Sequence, residues 1–114
     1  MLKLNPNPTF SAEVSITVPG EKEPGTVTLV FKYLGRKDFA EFLKRTGEEK
    51  DDNDKVVKPA KSDIEVFSEI VLGWDIPDEF SPKNVAIFLD NYPAAAGEVY
   101  TQYARLLFES RVKN

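Results

Sequence analysis

From Phe10 to Val18 apolar and polar residues alternate without a break. Phe10, Ala12, Val14, Ile16 and Val18 fall on one side, and Ser11, Glu13, Ser15 and Thr17 on the other. Strand side chains point alternately to opposite faces, so the pattern predicts a half-buried strand. A second alternation sets Val27, Leu29, Phe31 and Tyr33 inward and Thr26, Thr28 and Lys32 outward, with Val30 breaking the polar side. Pro19-Gly20 and Pro24-Gly25 bracket a charged turn between the two runs, which therefore read as an antiparallel hairpin. A hairpin is not stable alone in water and needs helices or further strands over its apolar face.

The period then changes from two to three and four. Arg36 to Arg45 suits a short helix with Phe39, Phe42 and Leu43 on one side and Gly47 as its C-cap. Ser62-Asp63-Ile64-Glu65 forms a capping box, in which the serine accepts from the third helical amide and the glutamate reaches back. That helix is expected to run to about Leu72, burying Ile64, Phe67, Ile70 and Val71, with Gly73 as its stop. Ser81-Pro82 starts another, serine at the N-cap and proline at the first helical position, with Val85, Phe88 and Leu89 inward. Asn91-Tyr92-Pro93 ends it, and Pro93 can start the last helix, where Ala96, Val99, Tyr100, Tyr103, Leu106 and Leu107 recur at helical spacing. Arg105, Arg111 and Lys113 lie towards its C-terminus, favourable for the helix dipole. The expectation is an α+β fold: one domain over 1–114, with an N-terminal antiparallel β-hairpin at 9–33, an acidic loop at 48–58 and a helical region at 62–114, about four α-helices in all.

The acidic loop, Glu48 to Lys58, is the most polar stretch. Asp51 opens a superficial EF-hand match, but the sixth and twelfth positions hold Val56 and Ser62 where a calcium loop needs glycine and glutamate. A solvated mobile loop without calcium is expected.

Composition removes several classes of function. A net charge of −4 gives no basic footprint for nucleic acid or an anionic membrane. No window approaches 18 consecutive apolar residues, and the N-terminus lacks the apolar run of a signal peptide. The chain has no cysteine and no histidine, so thiolate chemistry, disulfides and the commonest general base and metal ligand are all missing. A cytoplasmic protein without a cofactor, working by contact rather than catalysis, is expected. A carboxylate-only enzyme would need a deep cleft and an acid of raised pKa. The glycines form no phosphate-binding loop, and Glu65 and Glu69 on one helix face make no metal site without a third convergent group.

Aromatic residues supply the remaining signal. Trp74 reads either as an exposed binding anchor or as a core plug where the capped helix ends. Phe88, Tyr92, Tyr100 and Tyr103 divide in the same way, between core and the rim of an interface. Asp90 and Glu98 are the charges nearest these tyrosines, which rules out base stacking supported by interleaved cations. The two helices joined at Asn91-Tyr92-Pro93 would form a groove of fixed angle, and the five aromatic residues Trp74, Phe88, Tyr92, Tyr100 and Tyr103 are the candidate protein-binding site.

Gly73-Trp74, Phe80-Ser81-Pro82-Lys83-Asn84, Asn91-Tyr92-Pro93-Ala94-Ala95 and the closing Lys113-Asn114 together resemble the small tail assembly chaperones of tailed phages and prophages. Asn5-Pro6, Phe10, Phe31-Lys32-Tyr33 and Arg36-Lys37 extend the resemblance over most of the chain outside the acidic loop. It implies a non-enzymatic role in building the long tail inside the bacterial host. Such proteins coat the tape measure protein, keep its helices soluble and help recruit tail tube subunits, and self-association along the rod is expected. A small acidic adaptor or inhibitor module of antitoxin type is the alternative that the composition leaves open.

Overall fold

A computed structural model describes residues 2–46, 49–50, 52–53, 56–58 and 62–109. Strands β1 (Thr9–Ile16) and β2 (Gly25–Lys32) are followed by helix α1 (Arg36–Thr46) and the short strands β3 (Glu49–Lys50) and β4 (Val56–Lys58). Helix α2 (Asp63–Ile70), strand β5 (Val71–Trp74) and helices α3 (Pro82–Asn91) and α4 (Ala95–Phe108) follow, and Arg111 and Lys113, expected towards the end of the last helix, lie outside the described residues. The fold is α+β, as the change of period predicts.

The hairpin forms in the expected register, antiparallel from Thr9 opposite Lys32 to Ile16 opposite Gly25. Ala12, Val14, Ile16, Val27, Leu29 and Phe31 are buried on its inner face. At the turn the Glu21 amide donates to the Val18 carbonyl at 3.0 Å. Pro19 sits at the second turn position and Gly20 at the third with φ +82°, a left-handed conformation that the missing Cβ makes accessible. At the open end the Tyr33 amide donates to the Pro8 carbonyl at 2.8 Å, fixing where the N-terminal arm leaves the sheet.

The capping box of α2 is present, but the helix stops at Ile70 rather than near Leu72. Val71 is at once its C-cap, with the amide donating to the Phe67 carbonyl, and the first residue of a third strand at φ −111°, ψ 125°. β5 pairs antiparallel with β2, Leu29 opposite Trp74 and Val30 opposite Gly73, so the sheet order is β1-β2-β5. Gly73 therefore pairs in a sheet and does not cap a helix. The open edge of β2 overrides the helical period here, because pairing satisfies its free backbone groups.

The acidic segment also departs from a featureless loop. Glu49–Lys50 and Val56–Lys58 pair antiparallel as a two-stranded ribbon, while Gly47 and the remaining loop residues 48, 51, 54–55 and 59–61 lie outside the described residues. Ile64 and Leu43, both expected inside, are 39% and 41% exposed.

Ser81 caps α3 as predicted, accepting from the Asn84 amide at 3.3 Å, and Pro82 takes the first turn. α3 ends at Asn91, and α4 begins at Ala95, two residues after Pro93. Ala95, Val99 and Tyr103 recur every four residues and form the buried stripe of α4. Glu98 and Gln102, on the neighbouring stripe, meet the outer edge of β1. The Gln102 side-chain amide accepts from the Ser15 amide at 3.1 Å and donates to the Ser15 carbonyl at 2.8 Å, as a neighbouring strand would. The Glu98 carboxylate accepts from both the Thr17 amide and the Thr17 hydroxyl.

Candidate binding groove

Tyr103 is fully buried. Its ring lies 5.0 Å from that of Phe31 and 6.2 Å from those of Phe10 and Phe39, and its hydroxyl donates to the Lys32 carbonyl at 2.7 Å. Burial first, and then the Tyr33 phenol, hold its pKa well above the ordinary tyrosine value. A hydroxyl so placed satisfies a strand carbonyl and stays protonated. Tyr103 thus belongs to the core and offers no surface to a partner. Tyr100 is half-buried, stacks 6.2 Å from Phe42 and lines a dent of about 190 Å³ between α2 and α4, and burial raises its pKa too.

The other three candidate residues come together. Trp74 is half-buried at the end of β5, its indole N–H donating to the Asp78 carbonyl at 2.8 Å. Its ring meets Phe80 edge-on at 5.0 Å and Phe88 at 5.6 Å, and Phe88 lies 5.3 Å from Tyr92. This aromatic row forms one side of an open groove of about 460 Å³. Ile16, Val18 and Val27 at the turn end of the hairpin form the opposite wall. Ile76 and Ile87 also line it, with Ile87 48% exposed. Phe88 is 8% exposed and contributes to both the core and the groove.

Gly25 lies in the hairpin wall, where a Cβ would come within 3.2 Å of Val18 Cγ2. A side chain there would crowd the wall. Asn84 Nδ2 donates to the Glu79 carbonyl at 2.7 Å, tying the Asp78–Phe80 loop to α3 beside Trp74. The polar lining includes Thr26, Asp78, Asn84 and Asn91, and among the described residues no lysine or arginine lines the groove.

Sequence reasoning placed Trp74, Phe88 and Tyr92 in the candidate site but missed the hairpin wall. Ile16, Val18 and Val27 read only as strand-face residues, and nothing local marks them as lying opposite α3. Among the described residues no group of three or more His, Cys, Asp or Glu side chains converges on a possible metal position. No described helix is long and apolar enough to cross a membrane.

The groove is apolar with a few polar groups in its lining. The family model for phage tail assembly chaperone matches residues 1–114, and the chain belongs to that family. The role of such a family is assembly, not catalysis. Neither a curated protein nor a solved structure matches the chain.

Proposed function

We propose that this chaperone binds the tape measure protein of its phage in the bacterial cytoplasm, keeps its helices soluble and assists addition of the tail tube, with several copies associating along the rod. The groove between the hairpin turn and α3 carries this reading. It is open, apolar on both walls and framed by the half-buried rings of Trp74 and Tyr92. An amphipathic helix presents apolar side chains at spacings of three and four, which suits a groove of this kind. Each side chain of leucine size buried there contributes about 1.5–3 kcal/mol.

Co-expression with the tape measure protein of the same phage tests the proposal. The expected result is a soluble complex that co-purifies, against an aggregated tape measure protein when it is expressed alone. Ile87→Asp, at a half-exposed groove position, should abolish co-purification while leaving the melting temperature unchanged. Recovery no greater than with an unrelated acidic protein would overturn the assignment.

A further inference from the structure

The N-terminal arm, residues 2–8, carries the two most exposed large apolar side chains described. Leu2 is 98% and Leu4 96% exposed, whereas no other described large hydrophobic side chain exceeds 52%. Pro6 and Pro8 keep the arm from forming a helix, and Lys3 between the leucines makes one long hydrogen bond, to Asn7 at 3.4 Å. Two leucines two residues apart share one side of an extended segment. Among the described residues nothing covers them.

We propose that this arm docks in the groove of a second copy, seating Leu2 and Leu4 between the hairpin wall and α3. Three observations select that occupant. First, the groove is lined by apolar side chains and is open. Second, its lining includes the carboxylate of Asp78 and, among the described residues, no lysine or arginine, which complements Lys3.

Third, the arm cannot reach the hairpin wall of its own groove. Pro8 is tied to Tyr33 at the open end of the hairpin, while Ile16, Val18 and Val27 stand at the turn end. Along β1 that separation is eight residues, or about 27 Å at strand rise. Six residues from Pro8 to Leu2 span at most about 21 Å and four to Leu4 about 14 Å. Neither leucine reaches the hairpin wall of its own chain. Exchanged between two antiparallel copies, the contact would close reciprocally. In a parallel stack it continues head to tail.

The inference concerns the free protein and does not depend on the tape measure reading. A partner helix entering the groove would displace the arm. The test uses the full chain alone. Sedimentation over a range of concentrations should show association that Leu2→Ser/Leu4→Ser weakens at least ten-fold, with an unchanged melting temperature at dilutions where the chain is monomeric and both leucines are in solvent. Ile87→Asp should weaken it similarly. An equimolar mixture of the two variants should recover a heterodimer, since one keeps its arm and the other its groove.

A second readout is independent of how the groove variant folds. Trp74 is the single tryptophan, and a synthetic arm peptide from Leu2 to Pro8 added to Leu2→Ser/Leu4→Ser should shift its emission to shorter wavelength. A chain that stays monomeric, association indifferent to the leucines, or no emission shift with the peptide would each overturn the proposal.

Discussion

Two aromatic clusters pack on the inner face of the sheet, and they are finished differently. Around Tyr103, the rings of Phe10, Phe31 and Phe39 pack within about 6 Å of the phenol, whose hydroxyl is consumed by a strand carbonyl. The row of Trp74, Phe88 and Tyr92 is equally close-packed, yet on one side it faces an open groove instead of a covering helix. The first arrangement puts its aromatic surface into folding stability. The second withholds part of it from the core, where it remains available for contact with another chain. Identical residue types, tyrosine above all, serve both ends according to what lies opposite them.

The largest effect should come from the closed cluster. Tyr103→Ala is expected to cost about 3–5 kcal/mol in urea unfolding, the range for deleting a large buried aromatic side chain. Tyr103→Phe keeps the ring but orphans the Lys32 carbonyl and should cost about 1–3 kcal/mol. A cost below 1 kcal/mol for the alanine variant would erase the distinction between the clusters.

The same residue gives a pH signature. The folded chain holds the Tyr103 proton more tightly than the unfolded chain, so its contribution is complete below the ordinary tyrosine pKa of about 10. Stability should then fall as pH rises past that value towards the raised one, because the unfolded state releases the proton first. Phenolate absorbance should show one tyrosine resisting ionisation until the protein unfolds, and Tyr103→Phe should remove that late step.

Removing Gln102 probes the border of the closed region. Gln102→Ala leaves the Ser15 amide and carbonyl to water and should cost about 1 kcal/mol, with hydrogen exchange accelerated at Ser15. On the open side, Tyr92→Ala should also cost only about 1 kcal/mol in stability, while binding of the tape measure protein falls at least ten-fold. Equal losses in Tyr92→Ala and Tyr103→Ala would mean that both tyrosines are core. Smallest of all, a short linker replacing residues 48–58 should change stability by no more than about 0.5 kcal/mol, and calorimetry should detect no calcium binding.

How much of this was legible depends on how local each signal is. The hairpin, the Ser62 capping box and the Ser81-Pro82 start follow from neighbours a few residues apart, and all three are present. β5 was hidden because Val71 and Leu72 continue the preceding helical period, and only the free edge of β2, some forty residues earlier, decides otherwise. Glu98 and Gln102 stand one helical turn apart, but that spacing does not reveal that they meet β1, 81 and 87 residues away. The groove is assembled from three separated segments, of which the sequence marked the aromatic one. Full burial at Tyr103 and half-burial at Tyr92 were indistinguishable by residue type.

The direct passage from α2 into β5 limits where the chain can change length. With no residue between Ile70 and Val71, one inserted or deleted position must either turn the helix by about 100° or slide the strand by one place. A slide of one residue reverses every side chain of a strand, turning Trp74 away from the face it shares with Leu29. A codon gained or lost near the exposed Pro19-Gly20 turn lengthens or shortens a surface loop. The same change at the junction removes the tryptophan from the groove while leaving the composition of the protein almost untouched.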